Sequence, residues 1–219
     1  MKKQPLPTQL NKERETAENE RLEKLMHYER EAYAAGYRVV AGVDEAGRGP
    51  LAGPIVAAAC ILPSAPSFYG IDDSKKLSPS ERQRLFEELT QHPHVHYSVV
   101  SLSHETIDKI NIHQANIQAV LQAVETLPLK PDFVLADGLK TPSYPFPHKK
   151  IVKGDSLSQS IAAASIIAKV TRDKFMDECH VEWPEYGFDQ HRGYATARHL
   201  AALQKHGPCP IHRRSFRLY

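Results

Sequence analysis

The chain has 219 residues, of which 41% are hydrophobic and 25% are charged, and its formal net charge is +2. This length and composition predict one sizeable globular domain, with room for an appendage, and exclude global disorder. The three cysteines are widely spaced and show no disulfide framework. No N-terminal stretch has an apolar signal-peptide core, and no apolar run is long enough to span a membrane. A reducing cytoplasm, with no membrane partner, is therefore the expected setting.

The N-terminal segment Asn11–Tyr37 is rich in Glu, Lys and Arg and carries only a thin apolar stripe. The stripe consists of Leu22, Leu25, Met26 and Tyr33. This pattern predicts an exposed helix that docks weakly, if at all, on the rest of the molecule.

The stretch A-G-V-D-E-A-G-R-G-P-L-A-G-P then ends an apolar run in two adjacent carboxylates, Asp44 and Glu45. Neighbouring side chains on a strand point to opposite faces, so the pair could hold metal ions from different sides. In Gly47, Arg48 and Gly49, the glycines let backbone amides approach an anion closely, and the arginine fork fits phosphate. A strand that ends in an ordinary polar turn explains the same stretch equally well.

Periodicity and turn residues predict the remaining elements. Strands are expected over 38–43, 55–62, 97–102, 131–138 and 149–153. Helices are expected over 78–90, 103–125 with a break near Asn111, 156–179 and 197–205. Ser78 and Glu81 form a capping-box pattern, and either Ser156 or Ser158 caps the long helix. Asp173, in a charged segment of that helix, is expected at the surface.

Two histidine-containing segments could be interpreted as metal sites. His92, His94 and His96 alternate, but Pro93 interrupts them and no fourth ligand is near, so a polar loop is favoured over a zinc site. His206, Cys209 and His212 are separated by prolines, and a turn is favoured there as well.

Lys75 and Lys76 lie just before the capped helix, where they could contact phosphates, although two lysines on a surface loop are common. From Gln190 to Tyr219 there is no acidic residue, which predicts either a polyanionic partner or a merely solvated basic tail. The basic residues of this region are Arg192, Arg198, Lys205, Arg213, Arg214 and Arg217.

Four acids, each predicted at a strand end beside a glycine, carry the functional argument: Asp44, Glu45, Asp137 and Asp155. If their strands share one sheet, the carboxylates converge on one site, which is unfavourable without cations. Oxygen-only ligands favour Mg²⁺ or Mn²⁺ over zinc, and two such ions suit phosphoryl chemistry. The pattern therefore predicts a metal-dependent enzyme that acts on a phosphodiester.

A set of longer motifs resembles the signatures of type 2 ribonuclease H, the ribonuclease HII family. The motifs, in order, are D-E-A-G-R-G-P-L-A-G-P, D-S-K-K-L-S, A-D-G, K-G-D, A-A-A-S-I-I-A-K-V, H-R-G-Y-A-T and H-R-R-S-F. They run from about Val40 to Phe216. His113 stands where an aromatic residue is expected, and the N-terminal extension is absent from many relatives.

The resemblance implies an α/β, ribonuclease H-like fold with a mixed five-stranded sheet flanked by helices. It divides the chain into an N-terminal extension (1–37), a catalytic domain (38–180) and a basic, helical C-terminal subdomain (181–219). It also implies a monomer that cleaves RNA paired with DNA and cuts at single ribonucleotides in duplex DNA, with a role in their removal.

The same resemblance assigns the residues. Asp44, Glu45, Asp137 and Asp155 are the implied catalytic and metal-binding acids for two Mn²⁺ or Mg²⁺ ions, with Asp44 bridging both. One ion would activate the water that attacks the phosphate 5′ of the ribonucleotide, and the other would stabilise the departing 3′-oxygen. Gly47, Arg48 and Gly49 would read the ribose 2′-hydroxyl, Tyr194 would pack on that sugar, and Lys75 and Lys76 would lie near the phosphate backbone.

Two other functions remain open on the sequence. The first is a ribonuclease H that needs a run of several ribonucleotides, which the Gly-Arg-Gly turn argues against. The second is a non-catalytic binder of RNA/DNA hybrids, which the retention of all four acids argues against.

Overall fold

A computed structural model of the chain describes residues 9–65, 68–138 and 145–218. Its strands are β1 (Val40–Ala46), β2 (Ile55–Ile61), β3 (His96–Leu102), β4 (Phe133–Asp137) and β5 (His148–Ile151). Its α-helices are α1 (Gln9–Leu25), α2 (His27–Ala34), α3 (Pro79–Gln91), α4 (His104–Glu125), α5 (Gln159–Glu182), α6 (Phe188–His191) and α7 (Ala197–His206). Short 3₁₀ turns span Gly154–Ser156 and Pro184–Tyr186.

The five strands form one mixed sheet in the order β3-β2-β1-β4-β5, which confirms the predicted architecture. β2 pairs antiparallel with both β1 and β3, whereas β1, β4 and β5 pair in parallel. The carboxyl ends of β1 and β4 therefore lie side by side at one edge of the sheet, which is where α/β proteins place ligands.

The sheet is covered on both faces. α5 packs with alternate residues of β2 in one hydrophobic cluster, and α4 packs with the other set in a second cluster. α5 approaches β1 most closely at Gly42, where an added Cβ would lie 2.1 Å from the backbone carbon of Ser160. Only glycine permits this approach of helix to strand.

The N-terminal extension is helical, but the expectation of an exposed, weakly docked helix is wrong from Arg21 onward. Leu22 and Met26 are each only 1% exposed, and Leu22 and Leu25 belong to the same cluster as α5. Arg21 donates a hydrogen bond to the carbonyl of Ile71 at 2.8 Å. Residues 12–20 remain largely exposed, and residues 1–8 lie outside the described residues. The thin apolar stripe is enough to dock this segment because polar contacts, such as the hydrogen bond of Arg21, supplement it.

Several local predictions are confirmed. Ser78 and Glu81 form the capping box of α3, Ser158 rather than Ser156 caps α5, and α4 is interrupted at Asn111, whose φ is 66°. The segment between His206 and His212 is a turn, closed by a hydrogen bond from the His212 amide to the Cys209 carbonyl.

Two local expectations are wrong. β5 ends at Ile151, so Asp155 lies in the following 3₁₀ turn and not at a strand end. Asp173 is not a free surface residue, since its side chain is only 17% exposed and contacts Lys169, Arg82 and Arg192. A charged stretch of helix is thus partly buried between α3 and the C-terminal region.

The C-terminal part packs on α5 and on the loop between β1 and β2. Its cluster joins Leu51 and Ala52 of that loop to Met176 of α5 and Leu203 of α7. Within the described ranges, no helix combines the length and the apolar character that a membrane span requires.

Candidate active site

β1 presents its two adjacent acids to opposite faces of the sheet. Asp44 lies opposite Ala58, whose side chain belongs to the cluster under α5. Glu45 lies opposite Ala57, which belongs to the cluster under α4. The strand alternation therefore separates the two carboxylates as predicted, and Asp44 is the more buried, at 5% exposed.

Asp137 and Asp155 reach Asp44 by different routes. Asp137 is the last residue of β4, the parallel neighbour of β1. The 3₁₀ turn Gly154–Ser156 places Asp155 next to Asp137. The Gly154 amide fixes this turn by donating a hydrogen bond to Asp137 Oδ1 at 2.6 Å. One carboxylate oxygen from each of Asp44, Asp137 and Asp155 lies within 4.8 Å of the other two.

Glu45 is outside this three-carboxylate group. Its Oε1 atom pairs with the guanidinium of Arg48 at 3.4 Å. Both residues nevertheless line the same cavities as the three aspartates.

The electrostatics of the cluster favour a cation. Burial raises the pKa of Asp44, and the neighbouring Glu45 and Asp137 raise it further. Burial also raises the pKa of Glu45 and of Asp155, although Arg48 and Lys75 respectively oppose the shift. Carboxylates in this state are stabilised by taking up a proton or a metal ion.

The donor set fits a hard divalent metal. Three carboxylate oxygens converge, no histidine or cysteine accompanies them in the described part of the chain, and Asp44 is deeply buried. Oxygen-only ligands of this kind suit Mg²⁺ or Mn²⁺.

Lys75 inserts its ammonium into the acidic cluster. Its Nζ atom lies 3.0 Å from Asp155 Oδ2 and 3.6 Å from Asp73 Oδ1. Burial lowers the pKa of Lys75, but the hydrogen bond to Asp155 and the surrounding carboxylates raise it more, so its pKa lies above the usual range. Lys76 instead pairs with Asp72 at 3.1 Å.

The Gly-Arg-Gly turn leaves β1 directly beside the acids, and Tyr194 lies over it. Gly47 has a φ of +97°, which favours glycine, and the Tyr194 ring lies 3.6 Å from the position of a Gly49 Cβ. Tyr194 is 45% exposed, so its ring is available to a ligand that occupies the turn.

All ten predicted site residues line one or both of two neighbouring cavities, of about 440 and 410 Å³. Glu45, Arg48, Lys75 and Asp137 line both. The first cavity also contains Lys76 and Asp155, and the second contains Asp44, Gly47, Gly49 and Tyr194.

Sequence reasoning missed several residues of the site. Lys169 and Ser165 of α5 line the second cavity, and their only signal was their place in an alanine-rich helical motif. Gly42 was treated merely as part of an apolar run.

The basic C-terminal region is less available to a polyanion than predicted. Arg213 is 0% exposed, because its guanidinium is buried against the β1–β2 loop. Arg192 pairs with Asp177. Buried arginines cannot be told from surface arginines by composition alone.

Comparison with known proteins agrees with this site. The sequence model of the family described as Ribonuclease HII matches residues 41–219. The ribonuclease HII of Chlamydia trachomatis serovar L2 is 57% identical over 189 residues, which cover 86% of this chain and 87% of that protein.

Solved structures share the fold. The ribonuclease H2 of Pyrococcus horikoshii OT3 superposes with a TM-score of 0.70 at 27% identity, over 83% of this chain and 95% of that chain. Bst-RNase HIII in complex with Mn²⁺ has a TM-score of 0.64 at 19% identity, over 85% of this chain and 70% of that chain, and shows the fold alone. The family match and the relatives together show that the chain belongs to the ribonuclease HII family, metal-dependent nucleases that cleave RNA in RNA/DNA hybrids.

Proposed function

We propose that this protein also cuts duplex DNA at a single embedded ribonucleotide, on the 5′ side of that nucleotide, and leaves 3′-hydroxyl and 5′-phosphate ends. The observation that carries the proposal is the shared lining of one cavity by Asp44, by the Gly47–Gly49 turn and by Tyr194. A turn that reads one ribose and a carboxylate that takes part in hydrolysis are thus next to each other.

Four acids are proposed to hold two divalent ions: Asp44, Glu45, Asp137 and Asp155. Bound there, such ions lower the pKa of water and stabilise negative charge on phosphate oxygens. Asp44 is the proposed shared ligand, because it is adjacent to Glu45 in β1 and within 4.8 Å of both Asp137 and Asp155. The relative Bst-RNase HIII binds Mn²⁺, and either Mn²⁺ or Mg²⁺ suits the oxygen ligands.

The turn is proposed to recognise the 2′-hydroxyl through its backbone. Within the described residues, the amides of Arg48 and Gly49 have no hydrogen-bond acceptor, and both residues are exposed. A 2′-hydroxyl can accept such a hydrogen bond, and a deoxyribose lacks that group. Tyr194 would then pack on the sugar, which fixes one nucleotide against the turn.

The lysines are proposed to bind phosphates. Lys75 and Lys76 line the cavity that contains Asp155, and their side chains are 74% and 54% exposed. An ammonium at this position counteracts the repulsion between the acids and a polyanionic substrate.

We further propose that the protein acts as a monomer in the cytoplasm and removes ribonucleotides from DNA. Its three cysteines are buried free thiols, which is compatible with a reducing compartment.

The test is an end-labelled DNA duplex that holds one ribonucleotide, incubated with Mn²⁺ or Mg²⁺, beside an all-DNA duplex and a continuous RNA/DNA hybrid. We expect one cut, 5′ of the ribonucleotide, with a 3′-hydroxyl that a polymerase extends. Cleavage of the hybrid without cleavage of the single-ribonucleotide duplex would refute the proposal and identify an enzyme that needs several ribonucleotides.

A further inference from the structure

Two buried arginines lie beneath the Gly-Arg-Gly turn. Arg172 of α5 is 1% exposed and Arg213 of the C-terminal segment is 0% exposed. Burial lowers the pKa of Arg172 to about 10 and that of Arg213 to about 9, so both remain charged at neutral pH. Buried charges normally require a partner of opposite sign.

Neither guanidinium has a carboxylate partner among the described residues. Asp173, the nearest acid in sequence to Arg172, pairs with Lys169 and contacts Arg82 and Arg192 instead. All of their hydrogen bonds go to backbone carbonyls. Each guanidinium also lies over an aromatic ring, Arg172 at 6.0 Å from the Tyr194 ring centre and Arg213 at 5.1 Å from that of Phe216. Burying two charges without a carboxylate partner is costly for the fold.

Arg213 holds the two carbonyls that determine the orientation of the turn. It donates to Gly47 O at 2.5 Å and to Arg48 O at 3.1 Å, and also to Gly53 O and Pro54 O at 2.9 and 3.1 Å. In a planar trans peptide the C=O and the following N–H point in opposite directions. Inward carbonyls at Gly47 and Arg48 therefore direct the amides of Arg48 and Gly49 outward.

Arg172 connects the loop to the segment that carries Tyr194. It donates to Pro54 O, Ala52 O and Arg192 O, each at 3.0 Å. Beside it, the Leu51 amide donates to Gly193 O at 2.8 Å. One guanidinium and one backbone hydrogen bond thus connect the loop to the segment that carries Tyr194, and the Arg172 guanidinium lies 6.0 Å from the centre of the Tyr194 ring.

We propose that Arg172 and Arg213 are positioning residues for ribose recognition: Arg213 orients the amides of the Gly47–Gly49 turn, and Arg172 fixes the distance from that turn to Tyr194. This proposal rests on the proposed function, because it assumes that the turn reads the 2′-hydroxyl. Neither arginine contacts the substrate, since both are buried.

Arg172→Lys and Arg213→Lys test the proposal, because lysine keeps the charge but cannot reproduce the fork of hydrogen bonds. Each variant is assayed with Mn²⁺ on two duplexes, one with a single ribonucleotide and one with its 2′-fluoro analogue. The readout is the ratio of kcat/KM for the two substrates. We expect this ratio to fall about tenfold or more in both variants. In Arg213→Lys the amide donors of the turn are no longer aligned, and in Arg172→Lys Tyr194 no longer holds the sugar against them.

Arg84→Lys is the matched control, because Arg84 also donates to a carbonyl, that of Tyr69, but on exposed α3. We expect it to keep the wild-type ratio. Circular dichroism checks the fold, and calorimetric titration with Mn²⁺ checks that the carboxylate site of both variants is unchanged.

Folded lysine variants that keep the wild-type ratio would overturn the proposal, as would an equal fall in Arg84→Lys. Failure of both variants to fold would also overturn it, because the arginines would then serve the fold as a whole. Wild-type protein that does not cut the single-ribonucleotide duplex would instead refute the proposed function, so the two failures are distinct.

Discussion

Glu29 on α2 accepts two hydrogen bonds from Ser160 on α5, one from its backbone amide at 2.9 Å and one from its hydroxyl at 2.6 Å. The Ser158 hydroxyl donates to the same carboxylate oxygen at 2.6 Å. A negative charge is stabilising at a helix N-terminus, and Ser160 lies where α5 contacts Gly42 of β1. The N-terminal extension therefore completes the support of the strand that carries Asp44.

Glu29→Ala is expected to lower the free energy of unfolding by about 1.5–3 kcal/mol, the range for hydrogen bonds to charged groups. Urea unfolding followed by circular dichroism measures the change. Glu23→Ala is the control, since the Glu23 side chain is 45% exposed on α1, and it is expected to change stability little. Equal losses in the two variants would contradict a specific role of Glu29.

Gly42→Ala is expected to cost about 3 kcal/mol or more, at the upper end of the range for overpacking. The reason is that the new Cβ would lie 2.1–2.5 Å from three backbone atoms of Ser160 and Ile161. Displacing α5 from β1 also disturbs Asp44, so Mn²⁺ affinity measured by calorimetry is expected to fall. Gly207→Ala is the control: nothing lies within 4 Å of its Cβ, but its φ of +72° makes alanine there locally strained. This strain is confined to the end of α7, so Mn²⁺ affinity is expected to be unchanged.

Asp44→Asn is expected to abolish cleavage while leaving duplex binding largely intact, because it removes the central carboxylate of the cluster. The loss of kcat is expected to exceed the roughly 10–100-fold that residues outside the ligand shell cost. Single-turnover cleavage and fluorescence anisotropy measure the two effects. Asp177→Asn, at an exposed carboxylate paired with Arg192, is the control. Near-normal turnover in Asp44→Asn would show that the site is wrongly assigned.

A buried chain of hydrogen bonds leads from Cys209 to the backbone of Tyr194. Cys209 Sγ lies 3.1 Å from His212 Nδ1, His212 Nε2 lies 3.0 Å from His199 Nε2, and His199 Nδ1 lies 2.9 Å from Tyr194 O. A carbonyl only accepts, so His199 donates from Nδ1 to Tyr194 O, and His212 Nδ1 also lies 3.2 Å from the Cys209 carbonyl. Burial and the neighbouring His199 lower the pKa of His212 to about 4.

This shift predicts lower stability in acid. Between pH 6.5 and 4 the unfolded chain binds a proton at His212 and the folded protein does not, so stability falls as the pH falls. The expected loss from His212 is on the order of 1–3 kcal/mol, measured by urea unfolding across this range. The raised pKa values of the acids act in the opposite direction, so His212→Asn must be compared with wild type at each pH.

In His212→Asn, the free energy of unfolding is expected to fall less between pH 6.5 and pH 4 than it does in the wild type. His113→Asn, at an exposed position on α4, is expected to keep the wild-type dependence. An unchanged slope in His212→Asn would show that the histidine chain does not couple protonation to folding.

Local patterns predicted most of the sheet and of the site. The alternation of Asp44 and Glu45 and the capping box at Ser78 need only neighbouring residues, and the structure contains both. The acids could be grouped because strand ends meet at one edge of a parallel pair.

The remaining contacts join residues far apart in the chain. Glu29 lies in the segment predicted as an exposed helix, and Arg213 lies in the basic region predicted to be solvated or to bind a polyanion. Both are instead buried against segments more than 125 positions away. Burial of a charge depends on partners in three dimensions, which the charge pattern of one segment does not contain. The prediction that Asp155 lies at a strand end was wrong for a related reason. The chain turns after Ile151, and the Gly154 amide of that turn donates to Asp137, which is distant in the sequence.

The strand order also has a consequence for how the protein folds. β1, β2 and β3 are consecutive strands and form an antiparallel meander. The chain then passes through α4 before β4 pairs with β1 on the other side of the meander. Contacts between distant segments are slow to form because loop closure precedes them. We therefore expect the meander to form first and the carboxylates of Asp44, Asp137 and Asp155 to meet only late in folding. Their mutual repulsion then opposes a late step of folding and not the first collapse, and divalent cations should accelerate that step.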